Sequence, residues 1–486
     1  MNNHKIFDWL RDFEESYLRS FRDFVDSPYF NSNKKVKSLF EIIYSARPDY
    51  SSKKLEMKNL LTKLFPGKEK SSEQALKNLF SEISGLIKEF ITVNSLRRNE
   101  YVQENLYADE LFFISKYKEG AKHAENMLEK LKKEEIFSAQ YFESYSKVLN
   151  NMSRFYYMEN RNYDANKLGV KLYEIFLLKM VYDFIDLKNG VGQYDRSEKG
   201  ASIPEFIFIF EDNFNLKEII EGLKKHNPKN SEVLDIYYNL YLMMNEENNA
   251  ELFSIAKSKI YNNIDKFSYE EKYFLYTALV NYVYTRLGIE NPEYFKEAFE
   301  IIKFFLERGV YKYPGSPYMM NLNYENIYGC STFAENHKWT EDFLTIYKEY
   351  LNPDHRDIVF HKTMADFMHS IGKYDAVLTH INSYKADNVF EKLYVRLYII
   401  IIFYEKGDLE RSLYEFDNLV HYFSYNDEKI PKYVEAITKN LIPALKKVLF
   451  AKANNKKLDY ADYVKFKDAP DILHKRWVIK KMEELL

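Results

Sequence analysis

Few residues in this 486-residue chain are of a type and spacing that could carry out chemistry. Cys330 is the one cysteine, and with His337 seven residues later it supplies the groups needed for a thiol nucleophile and its base. The thiol also lies 35 residues before Ala365, at the small-residue position of a repeat, where a buried cysteine behaves as a small hydrophobe. Packing is therefore its expected role. Asp357 and His361 are spaced i, i+4, and Asp366 and His369 i, i+3, so each pair shares a helix face and could begin a metal site. Two ligands do not complete one, and neither H-E-x-x-H nor C-x-x-C occurs. Gly190-Val191-Gly192 opens like a dinucleotide fingerprint, but Asp195 stands where the third glycine belongs, no strand pattern precedes it, and no G-x-x-x-x-G-K-[ST] is present. With 73 Asp and Glu, neighbouring carboxylates carry no signal. No catalytic, cofactor-binding or metal-ligating residue is assigned, no cofactor is expected, and the chain reads as non-enzymatic.

The elements that would position these residues are helices. Gly and Pro, at 14 and 12, are too scarce for a β-rich chain and fall between helical stretches, so the class is all-α. A hydrophobic content of 46% with 17% aromatics excludes wholesale disorder, and 486 residues exceed one compact core, which leaves several domains or an elongated array. A recurrence favours the array. Trp339, Tyr374 and Leu409, 35 residues apart, open W-T-E-D-F, Y-D-A-V-L and L-E-R-S-L after the polar turns N-H-K, I-G-K and K-G-D. Phe360, Met364, Phe367, Met368 and Ile371 form one helix face, and Val395, Ile399, Ile402 and Phe403 repeat it 35 residues on. Residues 391–405 are apolar nearly all round, as befits a helix covered on several sides. Segments 120–128 and 293–302 look related but lie out of register, as irregular turn lengths would explain.

Residues 1–100 read as a separate helical module, with helices expected over 7–25, 34–44, 52–65 and 72–93. Pro28, Pro48 and Pro66 close the first three, because the residue before proline is kept out of the helical region; Ser71 and Ser72 are candidate caps of the fourth. Residues 101–486 then read as an α-solenoid, with a polar loop over 188–204 and capping helices over about 431–486.

Two resemblances refine this. The segment F-R-D-F-V-D-S-P-Y-F-N-S-N-K-K-V-K-S-L-F at Phe21 to Phe40, with K-L-F-P-G at Lys63 to Gly67, resembles the N-terminal region of a family of helical Bacteroidota proteins of similar length and uncharacterised activity, which implies a bacterial, non-secreted protein. Residues 320–425 resemble degenerate tetratricopeptide repeats, whose unit is about 34 residues of paired helices. Counting from the aromatic position, the small site of the first helix falls on Cys330, Ala365 and Ile400, and that of the second on Asp342, Val377 and Ser412. That resemblance implies a concave face lined by the first helices, into which Lys362, Asp366 and His369 would project, suited to a protein or peptide partner.

Charge bears on the alternative. The net charge is −3, but residues 1–100 carry 18 Lys and Arg against 14 Asp and Glu, and residues 431–486 carry 13 against 7. Lys446, Lys447, Lys456, Lys457, Lys475, Arg476, Lys480 and Lys481 could meet nucleic acid, yet the remaining middle is acidic and disfavours a nucleic-acid groove along the array. The longest apolar run, Leu397 to Tyr404, falls far short of the roughly 20 residues a membrane span requires. The expectation is a cytoplasmic scaffold or adaptor with a protein partner, the alternatives being a nucleic-acid binder acting through its basic terminal segments and an enzyme whose site is assembled from residues distant in sequence.

Overall fold

The computed structural model describes residues 4–486 except 134–137, 198–203, 206, 208, 210–212, 227–229, 247, 289–290, 384–385, 387, 427–431 and 470–473. Among the described residues the regular structure is helical throughout, and the chain divides into two compact units: Met1–Glu135 with Ala139–Met180, and chiefly Val181–Leu486. A boundary near residue 100 thus falls inside the first unit, although residues 6–90 enclose a core of their own.

That core is built by α1 (Ile6–Asp12), α2 (Glu15–Asp26), α3 (Lys34–Tyr44), α4 (Met57–Leu64) and α5 (Glu73–Arg98), around Phe7, Phe21, Phe40 and Phe80, each at most 1% exposed. All three prolines lie just beyond a helix end, as expected. The helix read over 7–25 is broken at Phe13, whose backbone turns extended so that its ring packs edge-on against Tyr17 at 4.8 Å and Phe21 at 6.0 Å. Neither serine caps α5: Ser72 makes no capping bond, and the Ser71 hydroxyl donates to the Lys68 carbonyl. The loop read over 188–204 is also corrected, because the backbone of α9 (Asn162–Ser197) stays helical through Gly190 and Gly192; residues 198–203 lie outside the described residues. A glycine disfavours a helix by about 1 kcal/mol without forbidding it.

Much of the remaining chain follows one local rule. Five hairpins join their helices by a three-residue turn: α6 (Glu100–Phe113) to α7 (Tyr117–Lys133), α8 (Ala139–Met158) to α9, and, within the second unit, Asn321–Phe333 to His337–Tyr347, Pro353–Ser370 to Tyr374–Asn382 and Val389–Glu405 to Leu409–Tyr425. The middle turn residue is left-handed in each, with φ of 61° at Ser115, 60° at Asn160, 56° at Glu335, 74° at Gly372 and 78° at Gly407. The following amide reaches back five residues to close the turn, Lys116 to Leu111, Arg161 to Tyr156, Asn336 to Ser331, Lys373 to Met368 and Asp408 to Phe403, at 2.8–3.1 Å. Five residues past the left-handed position stands a buried residue of small or medium size: Gly120, Ala165, Thr340, Val377 and Ser412. At this position the second helix packs into the interior. Thr340 Oγ1 donates to Ser331 Oγ at 2.9 Å, and Ser412 Oγ to the Ile400 carbonyl at 2.9 Å, so the polar members are paired inside the contact.

This rule corrects the sequence register. Tyr374 and Leu409 are the first residues of their helices, but Trp339 is the third of its own, so the first two turns of the series are 37 residues apart and the next two 35. Asp342, assigned to the close contact, is exposed, and Thr340 takes that place with no exposure. The turns at 114–116 and 159–161 are as long as the later ones, so for segment 120–128 it is the spacing between hairpins that varies; elsewhere turn length does vary, with four residues between Ser231–Asn245 and Ala250–Asn263 and a longer break before Tyr294–Leu306. Helix 389–405 is enclosed as expected, with Leu393, Leu397, Ile400, Ile401 and Tyr404 in one core with Leu445, Val448, Trp477 and Met482 of the C-terminal helices Lys432–Ala453 and Lys475–Glu483.

Three substitutions test the rule. Glu335→Gly relieves a left-handed side chain and is expected to stabilise by about 1 kcal/mol in urea unfolding, while Gly407→Ala, where nothing lies within 4 Å of the new Cβ, costs a similar amount through the backbone alone. No gain from Glu335→Gly would mean that this turn is not left-handed. In Gly120→Ala the Cβ would stand 2.2 Å from the Phe155 ring, which is fully buried, and the expected loss is about 1–3 kcal/mol.

Candidate functional site

The site expected on the first helices of the hairpins is built from side chains that reach from one such helix to the next. Within the second unit α10 is Leu216–His226, α11 Ser231–Asn245, α12 Ala250–Asn263, α13 Tyr269–Tyr282, α14 Tyr294–Leu306, α15 Asn321–Phe333, α16 His337–Tyr347, α17 Pro353–Ser370, α18 Tyr374–Asn382 and α19 Val389–Glu405. Asn323 Nδ2 of α15 donates to the Tyr273 hydroxyl of α13 at 2.6 Å, Lys362 Nζ of α17 meets Glu325 Oε1 of α15 at 2.9 Å, and the Tyr398 hydroxyl of α19 donates to Asp366 Oδ1 of α17. Beyond α19, Glu405 accepts from Trp477 Nε1 at 2.7 Å and from Lys481 Nζ at 3.0 Å. The result is a row of polar bridges across consecutive helices.

Lys362, Asp366 and His369 all belong to this row, but they are engaged rather than held open. Lys362 is paired with Glu325, and its backbone carbonyl accepts the Tyr394 hydroxyl at 3.3 Å. The half-buried His369 and His474 sit around Tyr398: their ring centroids lie 5.5 Å and 4.8 Å from the Tyr398 ring, both edge-on, and 6.1 Å from each other. Burial, reinforced for His369 by His474 and for His474 by Lys362, pushes both imidazoles down to about 4. Burial likewise pushes the Asp366 carboxyl up, against the Tyr398 and Tyr394 hydroxyls that pull it down. Both phenols are raised by burial and then by the neighbouring Asp366, so they remain donors.

The other candidates resolve differently. Cys330 is 1% exposed and pairs with the Tyr284 hydroxyl at 2.9 Å, and burial pushes its thiol up to about 11, so it is not an activated nucleophile. His361 faces His380 of α18, Nδ1 to Nδ1 at 3.0 Å, and burial lowers both. Among the described residues no three His, Cys, Asp or Glu side chains converge on a metal position. Of the basic C-terminal set, Lys447 pairs with Asp462, Lys475 donates to the Ala469 carbonyl and Lys481 is held by Glu405 and Glu484.

Sequence reading missed Tyr394, Tyr398, Glu325 and His474. A signal for the first two exists: phenols four residues apart on a helix buried all round need acceptors, which calls for a carboxylate on the preceding helix. It also missed Glu271, 2% exposed, whose two oxygens accept from Tyr182 at 2.6 Å and from Tyr237. Ser268 and Glu271 have the spacing of a capping box, and Ser268 does accept the Glu271 amide at 3.2 Å.

Comparison of the chain with family models, with curated proteins and with solved structures finds no match. Among the described residues no helix is long and apolar enough to cross a membrane.

The lowered imidazoles fix a pH dependence. Both protonate in the unfolded chain near 6.5 and in the folded chain only near 4, so the stability they contribute is complete above pH 6.5 and is lost as the pH falls toward 4. Asp366 acts in the opposite sense, since its protonation favours the folded chain, and Lys362, Glu405 and Lys481 complete the charges facing the cluster. Between about pH 7 and pH 4.5 the native chain is expected to lose on the order of 1–2 kcal/mol more stability than a His369→Gln, His474→Gln variant. Identical slopes in denaturant titrations of the two would show that these imidazoles titrate as in water.

Proposed function

We propose that the protein is a non-catalytic helical-repeat scaffold that binds a protein or peptide partner through the face formed by the first helices of its hairpins. The observation that carries this is an apolar patch beside the polar row. Tyr313, Met320 and Leu322 are 50%, 41% and 59% exposed; Tyr273 packs edge-on against Tyr313 at 5.8 Å, its hydroxyl lies 3.7 Å from Met320 Sδ, and Leu322 precedes the bridging residue Asn323 in the chain. Exposed Met, Tyr and Leu next to fixed polar groups are the composition of a protein-binding surface, in which the soft Met side chain adapts to the partner. The polar row favours the same use, because bridges such as Lys362 to Glu325 hold the helix faces in place before a partner arrives. This reading places the protein in the cytoplasm of a bacterial cell, and the tetratricopeptide-like pattern of residues 320–425 supports it as a resemblance.

The test is site-specific photocrosslinking in the native host, with the reactive residue at Leu322 and, as control, at Tyr414, which is 65% exposed on the second helix of its hairpin. A discrete partner captured from position 322 and not from 414 is the expected result. Equal capture from both, or none from either, would remove the proposal.

A further inference from the structure

The first unit carries a surface that the proposed partner face does not use. Residues 34–77 of the N-terminal module hold 11 Lys and Arg against 5 Asp and Glu. Within it, α3 and α4 border a hollow of about 570 Å³ lined by Lys35, Lys37, Glu41, Ile42, Lys63 and Leu64, with Ser38 and Ser45 on its rim. Glu41, its one acid, is already neutralised by a two-pronged bond from Arg22 at 2.7 and 2.9 Å. None of Lys35, Lys37 and Lys63 has a carboxylate partner among the described residues. The hollow is thus positive without internal compensation.

How the ammonium groups are held says what would fit. Lys35 Nζ stands 3.9 Å above the Phe65 ring, and Lys37 Nζ donates to the Asp26 carbonyl. Each is tied to a different neighbour, so the charge is spread around the rim instead of converging on one point, as a single bound phosphate would need. All three are lysines, which act as point charges, whereas the planar guanidinium is the group matched to phosphate oxygens in pairs. The volume equals a cube roughly 8 Å on edge, less than the diameter of about 10–12 Å of an α-helix and far less than a nucleic-acid duplex. The floor between the lysines is apolar, with Ile42 5% and Leu64 8% exposed.

We propose that this hollow between α3 and α4 is a docking site for an extended acidic peptide segment, whose carboxylates meet Lys35, Lys37 and Lys63 while an apolar side chain rests on Ile42 and Leu64.

The experiment uses the full chain and a fluorescein-labelled peptide of alternating Glu and Leu, with a Gln-Leu peptide and a labelled single-stranded oligonucleotide of equal charge as competing probes. Anisotropy at low salt should show binding of the Glu peptide alone, weakening as salt rises. The Lys35→Glu, Lys37→Glu, Lys63→Glu variant should weaken it at least tenfold. Its Lys→Gln counterpart covers the case in which charge reversal disturbs folding, and should weaken binding in the same direction. Lys452→Glu, Lys456→Glu, Lys457→Glu, at exposed positions of the C-terminal region, should leave it unchanged. Failure of the Glu peptide to bind, tighter binding of the oligonucleotide, or an equal loss in the C-terminal variant would overturn the proposal. None of these outcomes bears on the crosslinking at Leu322.

Discussion

What the fourth residue of a hairpin's second helix can pack against is the constraint on which this architecture rests. A left-handed residue in the three-residue turn reverses the chain, and the residue five positions later is buried where the second helix packs. Where that residue is Gly120, the space a Cβ would occupy is filled from outside the hairpin, by the Phe155 ring of α8. Where it is Thr340 or Ser412, a hydroxyl is brought into the contact and must be paired there, with Ser331 or with the Ile400 carbonyl. The same device operates in hairpins of both units, so a local requirement generates the repeated shape without a repeated sequence.

Between hairpins the linkage is of another kind. Apolar faces packed on each other tolerate sliding, whereas Tyr398 to Asp366, Asn323 to Tyr273 and Lys362 to Glu325 fix one residue against one residue. The tyrosine content, 43 residues, has a physical use in this setting. A phenol supplies the ring area that fills the gap between helices and a donor that satisfies a carboxylate taken out of water. Asp366 and Glu271 are both served in this way. A buried carboxylate stripped of its donors is costly, so these bridges specify register more than they add stability.

Those polar residues also account for the placement of the functional reading. Lys362, Asp366 and His369 were legible as a cluster because their spacing puts them on one helix face. Their partners were not, since Tyr398 and His474 lie 32 and 108 residues beyond Asp366 and only packing brings them to it. What remains available to a partner is the patch at Tyr313, Met320 and Leu322, residues that carry no periodic signal because two of them lie outside any helix.

The amino-acid sequence by itself determined the helical class, the proline-marked ends of the early helices, the paired-helix pattern after residue 320 and the packing role of Cys330, all of which depend on residues within a few turns of one another. Tertiary structure decided the rest. It placed Thr340 instead of Asp342 at the close crossing, because the turn geometry counts from the left-handed residue and Glu335 conceals that position where Gly372 and Gly407 announce it. It broke the first helix at Phe13 to satisfy an aromatic core, kept α9 helical past two glycines, and turned candidate ligands into helix-to-helix bridges. The bridges rest on contacts between distant parts of the chain, such as Asp366 with Tyr398, which spacing along one helix does not display.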